Sequence, residues 1–212
     1  GGFTLLAFHY FMAAIPLIDP TETDIAMFSS YDFLFNLNHL VSMAIFGILG
    51  AVMGTRFVIE EYSGAKAILS FSYPISRKKM MGAKLWLVFC YPVAAMLLCG
   101  LVIGSVFFVT ESLFPLCVDH LTRETIGWAF LSLLCHSLLA GAVALLAIWI
   151  GFLKKSIPVT IVAAVITATI LCQVLSSAFS FRPVLFILLG VAAILTMVAV
   201  RSMFYQVESM EV

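Results

Sequence analysis

"IGWAFLSLLCHSLLAGAVALLAIWIGFLKKSIPVTIVAAVITATILCQVLSSA", residues 126 to 178, decides the fold class. It holds two apolar runs, Ile126 to Leu153 and Ile157 to Ala178, separated by "KKS" alone. A helix needs about 20 mostly apolar residues to cross the hydrocarbon layer of a bilayer, and each run is long enough. The composition agrees: 63% of the 212 residues are hydrophobic and 10% charged, whereas an average soluble domain carries about 25% charged residues. The chain reads as an integral membrane protein. Its formal net charge is zero, so nothing favours nucleic acid as a partner.

Working outward from this pair, four more apolar runs appear: Phe3 to Ile18, Phe33 to Thr55, Leu85 to Val109 and Pro183 to Met203. The expected architecture is all-α: one transmembrane domain over residues 1–212 with six transmembrane helices. The first run is short, so part of its cytosolic end is expected to lie outside this sequence. No basic n-region precedes it, which argues against a cleavable signal peptide. Loop charges choose the orientation. With both termini cytosolic, Arg56, Lys66, Arg77, Lys78, Lys79, Lys84, Lys154, Lys155 and Arg201 face the cytosol, nine of the eleven basic residues. Only Arg123 and Arg182 remain outside, a strong positive-inside bias. The outer loops, 19–32 and 110–125, are short and acidic, and the second has room for one short interfacial helix.

Small residues mark where the spans approach one another. Gly47, Gly50 and Gly54 line one face of span two; Gly100 and Gly104 form a GxxxG in span three; Ala140, Ala144, Ala147 and Gly151 stripe span four. Helices in lipid associate through such close packing, either within the bundle or at a dimer seam. The five cysteines contain no CxxC pair. They read as small apolar side chains, with Cys117 alone in a loop.

Chemistry is as informative by its absence. There is no GxxxxGK(S/T) phosphate loop, no HExxH and no GxSxG elbow, so no catalytic or metal-ligating residue is assigned. Ion-coupled carriers usually place carboxylates inside their spans, and no Asp or Glu falls within these six runs. The ionisable groups there are His9, His39 and His136. His136 lies deepest and is expected to bond a hydroxyl or carbonyl of a neighbouring helix. Asn36, Asn38, His39 and Ser42 would be costly against lipid and are placed toward the bundle interior or an outer vestibule. Asn36, His39 and His136 are thus candidates for a translocation path, or for an inter-helix hydrogen-bond cluster.

The one sizeable cytosolic segment is 56–84, containing "EEYSGAKAILSFSYPISRKKMMGAK" at residues 60 to 84. Phe57, Val58 and Ile59 can extend span two beyond the membrane. Gly64 relaxes the backbone. "AKAILSFS" suits a short helix at the membrane surface or against a partner, and Tyr73-Pro74 ends it. Ser76 is an N-cap candidate for span three. Arg77, Lys78 and Lys79 then sit in a first helical turn, where the helix dipole prefers anions. Inner-leaflet phosphates or an acidic partner surface would favour cations there.

A Glu after span two, a Gly a few residues on, an Ile-Leu pair, then P-x-S-R and a Lys opening span three together resemble the export permeases of ATP-binding-cassette transporters, type 2 exporter family. Here these are Glu60 or Glu61, Gly64, Ile68, Leu69, Pro74, Ser76, Arg77 and Lys84. The resemblance implies that 62–71 is a coupling helix that docks on a separate cytosolic ATPase subunit. Glu60, Glu61, Tyr62, Gly64, Lys66, Ile68, Leu69, Phe71, Pro74 and Arg77 would form the docking region. It further implies ATP and Mg on that partner and no cofactor in this chain. A second permease copy or homologue, as homo- or heterodimer, surrounding membrane lipids, and a bacterial plasma membrane complete the expectation. The cargo would be a hydrophobic or amphipathic peptide, drug or lipid-like molecule. The chain departs from the family's pattern in lacking an amphipathic segment before span one and in having only "SSAFSFR" before span six. The alternatives are a non-transport assembly or sensor subunit, and an intramembrane enzyme or ion-coupled carrier.

Overall fold

The computed structural model describes residues 2–18, 30–61, 77–113, 122–177 and 181–209, and their regular structure is entirely helical. Six α-helices follow in chain order: α1 Gly2–Ile18, α2 Tyr31–Gly54, α3 Arg77–Leu113, α4 Arg123–Lys154, α5 Ile157–Ser177 and α6 Pro183–Ser209. Helices α2 to α6 are long and apolar enough to cross a membrane, and Gly2–Ile15 is a shorter apolar helix. The chain is a multi-pass membrane protein. Several helices outrun their apolar cores: α2 begins at Tyr31 rather than Phe33, α3 at Arg77 rather than Leu85, and α6 ends at Ser209 rather than Met203. The 37 residues of α3 reach about 55 Å at 1.5 Å each, against about 30 Å of hydrocarbon. Counting apolar residues marks only the part in lipid.

Ion pairs label the two ends of the bundle. At one, Lys78 meets Glu208 at 2.6 Å and Lys84 pairs with Glu61. Arg56, Lys79, Lys154, Lys155 and Arg201 belong to the same end, the basic end. At the opposite end Arg182 reaches Asp32 at 2.7 Å and Glu124 at 3.8 Å. Glu208 gives the cationic first turn of α3 a partner within the chain. Such an exposed pair contributes about 0.2–1 kcal/mol, comparable with the dipole cost it offsets.

Helix α4 is the axis. Of its apolar window 72% is buried, against 17% for α3 and for α6. The small residues explain how α2 and α3 come so close to it. A Cβ added at Gly47 would stand 3.1 Å from the Val143 side chain and 3.3 Å from the Ala140 carbonyl. One at Gly50 would stand 2.9 Å from Pro92 of α3 and 3.2 Å from Ala144. At Gly54 it would strike Ile148, and at Gly151 it would strike Thr160 of α5. The stripes on α2 and α4 therefore pack inside one bundle. Gly100 packs likewise, against Leu133, while Gly104 meets only Phe108, at 3.9 Å.

Two irregularities sit at the basic end. Helix α2 widens into a π turn over Thr55–Ile59, closed by Glu60 N–H to the Thr55 carbonyl five residues back at 3.0 Å. The Thr55 hydroxyl donates to the Val52 carbonyl at 2.7 Å, the acceptor that an α ladder assigns to Arg56. This local competition accompanies the widening. Val58 and Ile59 of the turn are buried, and Ile59 lies against Gly151. The expected simple helical extension through Phe57 to Ile59 is thus a π turn wedged into the core. Helix α4 ends at Lys155, left-handed at φ 48° and ψ 40°. Ser156 N–H bonds the Gly151 carbonyl at 3.1 Å and Lys155 N–H the Phe152 carbonyl at 3.2 Å. These are the paired bonds of a Schellman cap, with Lys where Gly is usual. Lys155 and Ser156 alone reverse the chain, as "KKS" requires.

Candidate functional site: a polar network between the central helices

The polar residues of α2 and α4 meet in the half of the bundle away from the basic end. Ser132 is the hub. Its hydroxyl donates to Asn36 Oδ1 at 2.7 Å, and its Oγ lies 3.3 Å from both His39 Nδ1 and His136 Nδ1. His136 Nδ1 donates to the Ser132 carbonyl at 2.8 Å. The imidazole centroids stand 6.0 Å apart. His39, Ser132 and His136 are all buried, and apolar surroundings make each satisfied polar group costly to strand. Asn36, His39 and His136 are therefore brought together, in the bundle interior. His136 does not take its hydrogen bond from a neighbouring helix as expected. The i, i+4 spacing of Ser132 and His136 supplies both partners from α4 itself. Ser42 and Asn38 are buried nearby along α2, and Asn38 Oδ1 has no hydrogen-bond partner among the described residues.

Two spaces flank this network. On one side a cavity of about 30 Å³ is lined by Asn36, Trp128, His136, Leu175, Arg182 and Leu185, among others. That is room for a water. Arg182, one of its lining residues, holds its guanidinium 4.6 Å from the centroid of the Trp128 ring while it pairs with Asp32. On the other side a groove of about 250 Å³ between α3 and α4 includes His39, Gly104, Ser105, Phe108, Phe130 and Leu133 in its lining. Three of the nineteen phenylalanines of the chain, Phe35, Phe108 and Phe130, thus line an apolar space there. Phe35 also packs against Phe107 of a separate aromatic cluster at 5.6 Å.

That cluster corrects the expectation that no carboxylate lies in a spanning helix. Helix α3 continues past Val109, so Glu111 is helical, and it is only 5% exposed. Tyr31 donates to Glu111 Oε1 at 2.7 Å, and Tyr10 bonds Thr110 one residue earlier. His9 of α1 is 1% exposed. Its ring meets Phe107 at 4.4 Å and Phe35 at 5.2 Å. Neither His9 nitrogen has a hydrogen-bond partner among the described residues. The sequence signal for this cluster was the recurrence of Tyr, His and Glu near the same end of three runs.

The docking region is divided. Tyr62, Gly64, Lys66, Ile68, Leu69, Phe71 and Pro74 lie outside the described residues, as do Ser76, Cys117 and the rest of 114–121 in the loop 110–125. Arg77 opens α3. Glu60 and Glu61 close the π turn, both partly buried. Glu61, just past the π turn, pairs with Lys84 two turns into α3. Cys90, Cys99, Cys135 and Cys172 are free thiols within the helices, and no cluster of metal-ligating side chains occurs among the described residues.

One relative, "Uncharacterized protein YcbO" of Bacillus subtilis (strain 168), is 31% identical over 166 residues, covering 78% of this chain and 72% of that protein. No family model and no solved structure matches the chain.

Proposed function

The chain belongs to the family of YcbO, and on that premise we propose that it is the membrane subunit of an ATP-driven exporter. Both termini face the cytosol, and a separate ATP-binding-cassette ATPase carrying ATP and Mg docks on the 62–76 segment. Two such membrane subunits form the path for a hydrophobic or amphipathic cargo in the bacterial plasma membrane. The observation that carries this reading is the basic end. The basic residues gather there, and the long 62–76 connection starts from Glu61, which pairs with Lys84 of α3. It also follows directly on a π turn buried against α4. A load on that connection would reach the central helices through packed side chains. The residue pattern that resembles the exporter family occupies the same segment.

Co-expression with candidate ATP-binding-cassette ATPases tests it. A stable complex is expected, and Leu69→Asp or Ile68→Asp is expected to abolish it while membrane insertion is unchanged. Normal binding and coupling by these variants would overturn the docking assignment. The buried Glu111 favours one second reading, an ion-coupled carrier. Transport by the reconstituted chain alone, driven by an ion gradient without nucleotide, would establish that reading instead.

A further inference from the structure

We propose that the groove between α3 and α4 is a binding site for an amphipathic molecule carrying a hydrogen-bond donor, received from the surrounding lipid and read by His39.

The order of protons in the network identifies the ligand class. Ser132 has one hydroxyl hydrogen, which goes to Asn36 Oδ1 at 2.7 Å. The bond from His39 Nδ1 to Ser132 Oγ at 3.3 Å therefore has the histidine as donor. In a neutral imidazole that leaves Nε2 as an acceptor. No group among the described residues bonds it, although the side chain is 4% exposed. His39 lines the groove beside Ser105, whose hydroxyl hydrogen is held by the Val102 carbonyl of its own helix, so the groove is an apolar space in which His39 offers an imidazole acceptor. An unmatched acceptor in such surroundings favours any donor that reaches it: a hydroxyl, an amide N–H or an ammonium.

The rest of the groove is shaped for an apolar chain. Gly104 leaves its wall open, with only Phe108 within 4 Å of a Cβ added there. Phe35, Phe108 and Phe130 supply aromatic walls. Leu101, Ile126 and Phe130 on its rim are 46%, 40% and 55% exposed, so it opens sideways on the face that meets lipid. His39 lies eight residues into α2, about 12 Å from the helix start. A ligand enters among the acyl chains and places its donor below the interface. The site is built by this chain alone. Loss of ATPase docking would leave it intact, and failure to bind would leave the docking reading intact.

A second apolar depression provides the internal control. It is larger, about 390 Å³, lined by Ile150, Pro158, Val162, Ile166 and Thr167 among others, with no histidine. The full chain, reconstituted in phosphatidylcholine vesicles, is photolabelled with a diazirine-bearing decanol and with the methyl ether of the same molecule. Labelled peptides are then quantified by mass spectrometry. Decanol is expected to label Leu101, Phe108 and Phe130 about fivefold more than the ether does, with no such preference at Val162 and Ile166. His39→Phe is expected to remove the preference and leave the ether's labelling unchanged. Gly104→Leu, which fills open space, is expected to lower labelling by both probes in the groove. Equal labelling by alcohol and ether would overturn the proposal, as would a preference that survives His39→Phe or groove labelling indifferent to Gly104→Leu. If His39→Phe does not fold, the alcohol-to-ether ratio in the unmodified chain and the Gly104→Leu result decide it.

Discussion

Gly50→Ala isolates the contact on which the central packing of α2, α3 and α4 depends. The added Cβ would stand 2.9 Å from Pro92 Cγ, 3.1 Å from Pro92 Cβ and 3.2 Å from Ala144 Cβ. Carbon atoms pack best at about 3.5–4.0 Å, so all three contacts are short. None of the opposing atoms can rotate away: two belong to a proline ring inside a helix and the third is itself a Cβ. The helices have to separate, and overpacking of this kind costs about 1–3 kcal/mol. Against it stands the helix propensity gained on replacing Gly by Ala, about 1 kcal/mol in water. Gly190→Ala removes that ambiguity, because nothing lies within 4 Å of a Cβ there. Both substitutions carry the same propensity gain, so their difference is the overpacking cost alone. We expect Gly50→Ala to be less stable than Gly190→Ala by about 2 kcal/mol, a factor of about 30 in the folding equilibrium. Unfolding the purified protein in mixed micelles of dodecyl maltoside and dodecyl sulfate, followed by circular dichroism, measures it. Equal midpoints for the two variants would refute the close approach of α2 to Pro92 and Ala144.

Other substitutions carry their own controls. Ser132→Ala strands groups on His39 and Asn36 and is expected to cost about 1–3 kcal/mol. Ser137→Ala removes only a bond to the Leu134 carbonyl in its own helix, so the same unfolding assay should find it about 1 kcal/mol milder. Glu111→Leu leaves the Tyr31 hydroxyl without the acceptor it holds at 2.7 Å. It should destabilise by about 1–3 kcal/mol, while Glu111→Gln, which keeps an oxygen there, costs less in the same titration. Lys155→Gly relieves the left-handed backbone at φ 48°. It is expected to stabilise by roughly 0.5–1 kcal/mol, read as a higher unfolding midpoint, and a lower midpoint would count against the Schellman geometry. For orientation, single cysteines at Lys155 and Arg182 in a background lacking the native thiols should react with opposite sidedness. A membrane-impermeant maleimide added to intact cells should label only the position at Arg182.

Much of the fold was legible because bilayer thickness and backbone hydrogen bonding leave an apolar chain few choices. The runs 126–153 and 157–178 gave α4, α5 and the two-residue reversal between them, since neither run can stop inside hydrocarbon. The small-residue stripes were legible as close packing, but their partners were not. That Gly50 faces Pro92 depends on how α2 and α3 rotate about their axes, which no local pattern fixes. The polar site was half legible. Asn36, His39 and His136 stand out because each is costly in lipid. Ser132 did not stand out, since a serine in a helix normally satisfies itself on its own backbone. Glu111 was misplaced for a different reason: an apolar count ends the span at Val109, whereas the helix continues and Tyr31 makes the carboxylate tolerable.

The distribution of polar groups along the α2–α4 contact has a mechanical consequence. Toward the basic end the contact is glycine and alanine against Ile148 and Val143, held by close packing that any relative shift would lose at once. Toward the opposite end it is Ser132 shared among Asn36, His39 and His136, where a small shift lengthens bonds already at 3.3 Å. Within the proposed function, the first half would act as a rigid joint and the second as the part that yields. The π turn enters the rigid half, through Ile59 against Gly151. Within the proposed function, force applied at the 62–76 segment would move α2 and α4 together at the basic end. The yielding would occur where His39 lines the groove between α3 and α4 and His136 the small cavity it shares with Arg182.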